Sequence, residues 1–373
     1  MRFFTFFGPL DAYGITPGMR IEIGLVIIAS FIYFQLKSQS VLRSLFFSFL
    51  TYALIFTYCA MPFVVSFIIP GIEEAEILPI LTYFFLLLIF ILGYWLFYLH
   101  QKGYFIEILK DLRPLRLVHF ELMFVLGVIL AGGINFKGLF GLLSIMIAIL
   151  FAWLFSVMTN NQEDVEIDKV ANASRPSVTM KIPAEDYKKL SWIFLSLAIL
   201  YSLANFQSLF LVILFIGLYF IYSMPPIRLK RLPFFSKLAI SFSSLVLVIL
   251  GYNFVTDGIN IPGKVIVFFL ICFTAVINFI DIKDYEGDAK AGIKTLPVLL
   301  GLKKAKLLIG LFFLISYLLV PVIWRDMVLL LPAILLGILE FFLLNRKNYD
   351  ERLVFIVYLV SLTMLIVYIA VYL

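Results

Sequence analysis

The chain has 373 residues, 63% of them hydrophobic and 14% charged, with a net charge of +6. Soluble domains are roughly half apolar, so a water-soluble domain is excluded, and the basic balance does not indicate a nucleic-acid partner. Cys59 and Cys272 lie inside apolar runs, which argues against a structural disulfide, and two cysteines with His100 and His119 are too few for a Cys/His metal site.

Apolar runs of about 20 residues, enough to cross the hydrocarbon core as helices, recur along the chain. They do not alternate as barrel strands do. An all-α polytopic membrane protein is predicted, with about twelve spans near 20–36, 44–69, 77–99, 119–136, 138–158, 190–204, 207–222, 238–255, 264–280, 305–323, 327–344 and 353–372. Met1 to Gly18 has no continuous apolar core of the signal-peptide kind. A charged stretch, Lys102 to Arg116, divides the chain into an extension over 1–105, with about three spans, and a second part over 106–373, with about nine. His100 and His119 flank apolar runs and are expected to be interfacial anchors. Gly132, Gly133 and Asn135 mark one tight connection, and Asn205 marks a hairpin near Phe206 and Gln207.

The first acidic cluster follows the fifth span. Asn160, Asp164 and Asp168 are spaced i, i+4, i+8 and line one helix face. Oxygen ligands on one face suit Mg²⁺, a hard cation that bridges to phosphates. Glu163, Glu166 and Lys169 point elsewhere and fit a solvated helix end, which is the plain alternative for the whole cluster. Downstream, Arg175 could contact a diphosphate through its guanidinium fork. After the seventh span, Tyr222-Ser223-Met224-Pro225-Pro226 breaks the helix, and Arg228, Lys230 and Arg231 follow. These cations serve either as topological anchors or as a grip on a leaving diphosphate. The second cluster follows the ninth span, with Asp281, Asp284 and Asp288 at i, i+3, i+7, again one stripe. Two facing acidic stripes would repel without cations between them.

Loop charge orients the spans. Segments 37–43, 101–118, 159–189, 223–237, 281–306 and 346–352 hold 24 of the 29 Lys and Arg residues, all on one side in a twelve-span reading. That side is expected to be cytoplasmic, with both termini outside and both acidic clusters at the cytoplasmic surface.

These motifs resemble the UbiA-type family of intramembrane prenyltransferases over about residues 110–373. Asn160, Asp164 and Asp168 match its NxxxDxxxD signature; Asp281, Asp284 and Asp288 match DxxxD with an added upstream Asp. Arg113-Pro114, Arg175-Pro176, Tyr222-Ser223 with the Pro-Pro pair, Leu229-Lys230-Arg231 and Gly292-Ile293-Lys294-Thr295-Leu296-Pro297 add to the likeness. The chain departs from the pattern at Asn161, where many members carry Asp. That position is off the stripe, so tolerance is expected. It departs again in the long spacing from Tyr222 to Lys230 and in the three leading spans.

The resemblance implies a nine-helix bundle around a central cavity and Mg²⁺-dependent transfer of a prenyl group from a prenyl diphosphate through an allylic cation. It assigns metal binding to Asn160, Asp164, Asp168, Asp284 and Asp288. Diphosphate contact falls to Arg113, Arg175, Tyr222, Arg228 and Lys230. Lys230 would also assist the leaving group, and Asp281 would orient the acceptor or take its proton. The expected partners are a prenyl diphosphate, a lipophilic or aromatic acceptor such as a quinone precursor or glycerol phosphate lipid, and the bilayer of a prokaryotic cell membrane, with no nucleic acid. A divalent-cation or organic-phosphate transporter is the rival, but it predicts acids at mid-span rather than at span ends. A non-catalytic lipid-binding subunit predicts a lost ligand, and both acidic sets are intact.

Overall fold

The computed structural model describes residues 17–69, 71–134, 138–165, 168–169, 175–203, 206–256, 258–290 and 292–372. All regular structure among them is helical. The chain separates into two compact units, Met1–Phe85 and Leu86–Leu373, with the division inside a long helix rather than in the charged stretch after it.

In the first unit, α1 (Pro17–Ser38) and α2 (Val41–Ile68) pack side by side, joined at Gln39 in the left-handed region with φ 52°. Their seam is polar. Ser30 Oγ donates to Ser48 Oγ and Thr51 Oγ1, each at 3.3 Å, and Ser44 Oγ donates to Gln35 Oε1 at 3.0 Å. Ser44 and Ser48 are buried while Leu42 and Phe67 are exposed, the arrangement expected where the solvent is lipid and small polar residues join the helices. The helix α3 (Glu74–His100) begins in this unit and ends in the second.

The second unit continues with α4 (Lys102–Asp111), α5 (Pro114–Leu130), α6 (Leu139–Glu163), a single turn at Pro176–Thr179, α7 (Ala184–Ser202), α8 (Phe206–Ser223) and α9 (Pro233–Thr256). Then come α10 (Gly263–Asp281), the short α11 (Tyr285–Lys290) and α12 (Leu296–Leu300), and finally α13 (Leu302–Trp324), α14 (Leu330–Asn345) and α15 (Glu351–Tyr372). Among the described residues, ten helices are long and apolar enough to cross a membrane. The remaining two of the predicted spans are α5, with 17 residues, and α7, whose first turns carry Glu185, Asp186, Lys188 and Lys189. α5 begins five residues before the predicted 119, because Pro114 provides a helix start at its first position. It closes at Gly132 and Gly133, with φ 101° and 77°, where the Gly133 N–H reaches Val128 O at 2.9 Å. Asn135 and Asn205, expected to mark connections, lie outside the described residues.

Helices α5 and α9 touch backbone to backbone. A Cβ on Gly127 would stand 2.0 Å from Val248 O, and one on Gly251 would stand 2.0 Å from Phe124 O. Only glycine permits that approach. His119 is not at an interface: it is buried in this core, stacked 5.2 Å from Phe273, with Nε2 2.9 Å from Ser244 Oγ and Nδ1 3.0 Å from Tyr358 OH. The apolar runs on both sides of it are consecutive turns of one bundle, so a flank in sequence is a centre in space. His100 lies at the exposed end of α3, with Nδ1 3.0 Å from Leu96 O. Cys59 and Cys272 are free thiols. A cavity of about 200 Å³ lies among α5, α10, α13, α14 and α15, walled by Phe269, Phe273, Phe313, Tyr317 and Tyr358.

Candidate active site

The end of α6 carries the first cluster. Asp164 follows the last helical residue, and its N–H still bonds Asn160 O at 3.1 Å; Asp168 N–H bonds Asp164 O at 2.8 Å. Asn160 Oδ1 accepts from Ser223 Oγ at 2.8 Å and from Lys230 Nζ at 3.0 Å. Asp164 Oδ2 is 2.5 Å from the same ammonium, and its Oδ1 is 3.0 Å from Arg228 Nη2. Two oxygens from successive turns of one helix thus converge on one positive centre. Burial lowers the Lys230 pKa, although Asp164 beside it acts in the opposite direction.

The loop after α8 delivers these cations through an unfavourable backbone. Arg228 has φ 49°, a conformation that costs a non-glycine residue free energy, and its Nε and Nη2 bond the carbonyls of Ser223 and Glu163, each at 3.2 Å. Tyr222 lies within electrostatic reach of Asp164 in the first cluster and of Asp281 and Asp288 in the second.

Behind the first cluster lies a polar network that the sequence did not reveal. Asn161 is fully buried. Its Nδ2 donates to Asp111 Oδ1 at 2.9 Å and to Tyr187 OH at 3.2 Å, and its Oδ1 accepts from Arg113 Nη2 at 2.7 Å. Tyr187 OH donates to Asp111 Oδ2 at 2.6 Å. Asn161 lies off the stripe, and the face of α6 on which it sits holds its own hydrogen-bonded core. An aspartate there would confront Asp111. Burial pushes Asp111 up to about 6, and burial lowers Arg113 to about 10. Arg113, itself at φ 47° before Pro114, is therefore tied to Asn161. Arg175 forms an ion pair with the buried Asp168.

The second cluster is not an unbroken α-helix. Residues Ile277–Asp281 form a 3₁₀ turn and Tyr285–Lys290 a separate short helix. A 3₁₀ turn advances about 120° per residue, so i and i+3 eclipse rather than drift as the α-helical stripe assumed. The carbonyl of Phe279 is taken by Tyr349 OH at 2.8 Å. Upstream, the π turn Phe269–Phe273 leaves the Phe269 carbonyl to Ser241 Oγ at 2.9 Å. Burial, with Asp281 and Asp284 nearby, pushes Asp288 up to about 6, and burial also raises Asp284. Asp281 is bonded at 2.5 Å by Lys237, which is buried within α9. Sequence reading counted Lys237 as a loop cation. The signal available was its place inside an apolar run, after Phe234 and Phe235.

Among the described residues no three acidic, histidine or cysteine side chains are grouped to hold a metal ion. The donor chemistry nonetheless fits a hard cation: the candidate ligands are oxygens, and Asn160 and Asp164 already share a positive charge between them.

The model of the UbiA prenyltransferase family matches residues 122–371, well over half of the chain. Relatives include the digeranylgeranylglyceryl phosphate synthase of Pyrococcus abyssi (strain GE5 / Orsay), 30% identical over 156 residues, which are 41% of this chain and 54% of that one. The probable homogentisate phytyltransferase 2, chloroplastic, of Oryza sativa subsp. japonica is 29% identical over 180 residues, 45% of this chain and 46% of that one. The chain spans between about half and three fifths of the length of the curated relatives it matches first. Among solved structures, a UbiA homolog from Archaeoglobus fulgidus bound to GPP and Mg²⁺ superposes with a TM-score of 0.58 at 20% identity, over 70% of this chain and 98% of that one. That likeness establishes the fold.

Proposed function

Because this chain belongs to the UbiA prenyltransferase family, we propose that it transfers a prenyl group from a prenyl diphosphate to a membrane-associated acceptor. The observation that carries the reading is the meeting of Asn160 and Asp164 with Lys230 and Arg228 at the end of α6. Carboxylate and amide oxygens beside two cations, at the rim of an apolar bundle, suit a ligand with a charged diphosphate head and a hydrocarbon tail.

Asn160, Asp164, Asp168, Asp284 and Asp288 would hold Mg²⁺. Bound there, the metal supplies Lewis-acid neutralisation of the leaving diphosphate. Arg228 and Lys230 bind the diphosphate oxygens, and Arg113 and Arg175 add positive charge behind the first cluster. The bond between the allylic carbon and the diphosphate oxygen breaks, and its electron pair leaves with the diphosphate. The acceptor's nucleophilic atom bonds the allylic carbon, and the acceptor loses a proton to solvent. Aromatic faces beside the developing allylic cation stabilise it by about 0.5–2 kcal/mol each. The named relatives favour an isoprenyl glyceryl phosphate or a phenolic acceptor, and the basic loop ends favour a cytoplasmic site.

Purified protein incubated with Mg²⁺, labelled prenyl diphosphates and both acceptor types should release diphosphate and form prenylated product. Asp164→Asn and Asp288→Asn should each lower turnover on the order of a hundredfold or more. Unchanged turnover in both variants would sink the metal assignment.

A further inference from the structure

The second cluster contains a lysine that the mechanism above does not use. Lys237 sits near the start of α9, only 3% exposed, and its ammonium is 2.5 Å from Asp281 Oδ1. Asp281 is 8% exposed, and its other oxygen, Oδ2, is buried with no hydrogen-bond partner among the described residues. A buried charge pair is retained at a cost in desolvation, and a carboxylate oxygen left without a donor adds to that cost. The same carboxylate lies within electrostatic reach of Tyr222 on α8 and of Asp288 in the second cluster.

We propose that Lys237 is a positioning residue for the acceptor: it pins Oδ1 of Asp281 and so fixes Oδ2 to receive a hydrogen bond from an acceptor hydroxyl. The proposal rests on the prenyl-transfer reading. The ammonium cancels the charge of Asp281, which separates this carboxylate from the metal-binding pair Asp284 and Asp288. A carboxylate oxygen can only accept, so Oδ2 orients a hydrogen-bond donor. The group it fits is an O–H, as on a glyceryl phosphate lipid or a phenol. A bare hydrocarbon would leave Oδ2 without a donor.

The test uses the full chain in lipid nanodiscs with geranylgeranyl diphosphate, Mg²⁺, and either geranylgeranylglyceryl phosphate or homogentisate. Donor binding is measured by titration calorimetry, and transfer is measured as a function of acceptor concentration. Lys237→Met should raise the acceptor KM and slow transfer on the order of tenfold to a hundredfold, the effect of losing a reactant's orientation. Donor affinity should stay within about twofold of wild type, since uniform donor binding is untouched. Lys237→Arg should recover most of the transfer. If Lys237→Met fails to fold because Asp281 is left unpaired, the double variant Lys237→Met with Asp281→Asn removes both charges. It should bind the donor and transfer poorly. Wild-type transfer in either variant overturns the proposal, and so does a parallel loss of donor affinity. A wild-type chain that releases no diphosphate from any donor overturns the functional reading and this inference with it.

Discussion

At the scale of single residues, the site is held by groups whose charge is set by burial. Asp111 illustrates this. Burial pushes its carboxyl up to about 6, against 3.8 when unperturbed. Between those values the folded chain holds a proton that the unfolded chain releases, so stability falls as pH rises through that window and the loss is complete above it. The effect is at most about 3 kcal/mol. Thermal unfolding of Asp111→Asn from pH 4 to 7 should show a flatter profile than wild type; an equal slope would place the titration elsewhere. The first acidic signature was legible in the sequence because i, i+4 spacing is a property of α-helices; the second was legible only as a run of carboxylates, since its backbone is a 3₁₀ turn and a separate short helix. The network around Asn161 was not legible, since helical spacing says which residues share a face and nothing about what packs against the other. Lys237 was legible only as charge. A loop count cannot distinguish a cation in solvent from one paired with a carboxylate 44 residues away.

Among the helices, the tightest constraint is the crossing of α5 and α9. Each contributes one glycine, and each glycine faces a carbonyl of the other helix. These two helices also carry much of the site's scaffolding: α5 begins directly after Arg113, and α9 holds Lys237. Gly127→Ala and Gly251→Ala should each destabilise the protein by about 1–3 kcal/mol or more, because backbone rather than a flexible side chain must move. Unfolding midpoints in detergent, with Gly217→Ala as a control in open space, check this. The order of the long helices followed from run length. The 3₁₀ and π turns of α10 did not, because they depend on Ser241 and Tyr349 supplying hydrogen bonds from other helices.

Over the whole molecule, every candidate site residue lies in the unit Leu86–Leu373, and the other unit contributes none. A chain lacking residues 1–71, which keeps α3 intact, should therefore retain donor binding and transfer within about threefold, the range in which scaffold changes leave chemistry untouched. Radiolabelled product formation in vesicles checks it, and a complete loss would assign the extension a direct part. Loop lysines and arginines are what membrane insertion reads, so charge asymmetry gives an expected orientation from sequence alone.

The ion pair between Lys230 and Asp164 carries a consequence for the order of ligand addition. On the proposed assignment, a lysine that shares Asn160 and Asp164 would compete with the metal for them. Free Mg²⁺ would have to displace it with nothing offered in return, whereas a diphosphate arriving with its metal would give the ammonium new oxygens to hold. Binding should accordingly be compulsory-order, with the metal alone weak and the metal–diphosphate pair strong. Lys230→Gln should then shift the two affinities in opposite directions, tightening free Mn²⁺ and weakening the prenyl diphosphate. Metal titration by electron paramagnetic resonance, with and without donor, would read both; a variant that weakens both ligands together would make Lys230 a simple brace. On this account, the apoenzyme's own ammonium acts as a gatekeeper that admits the cation only with its cargo.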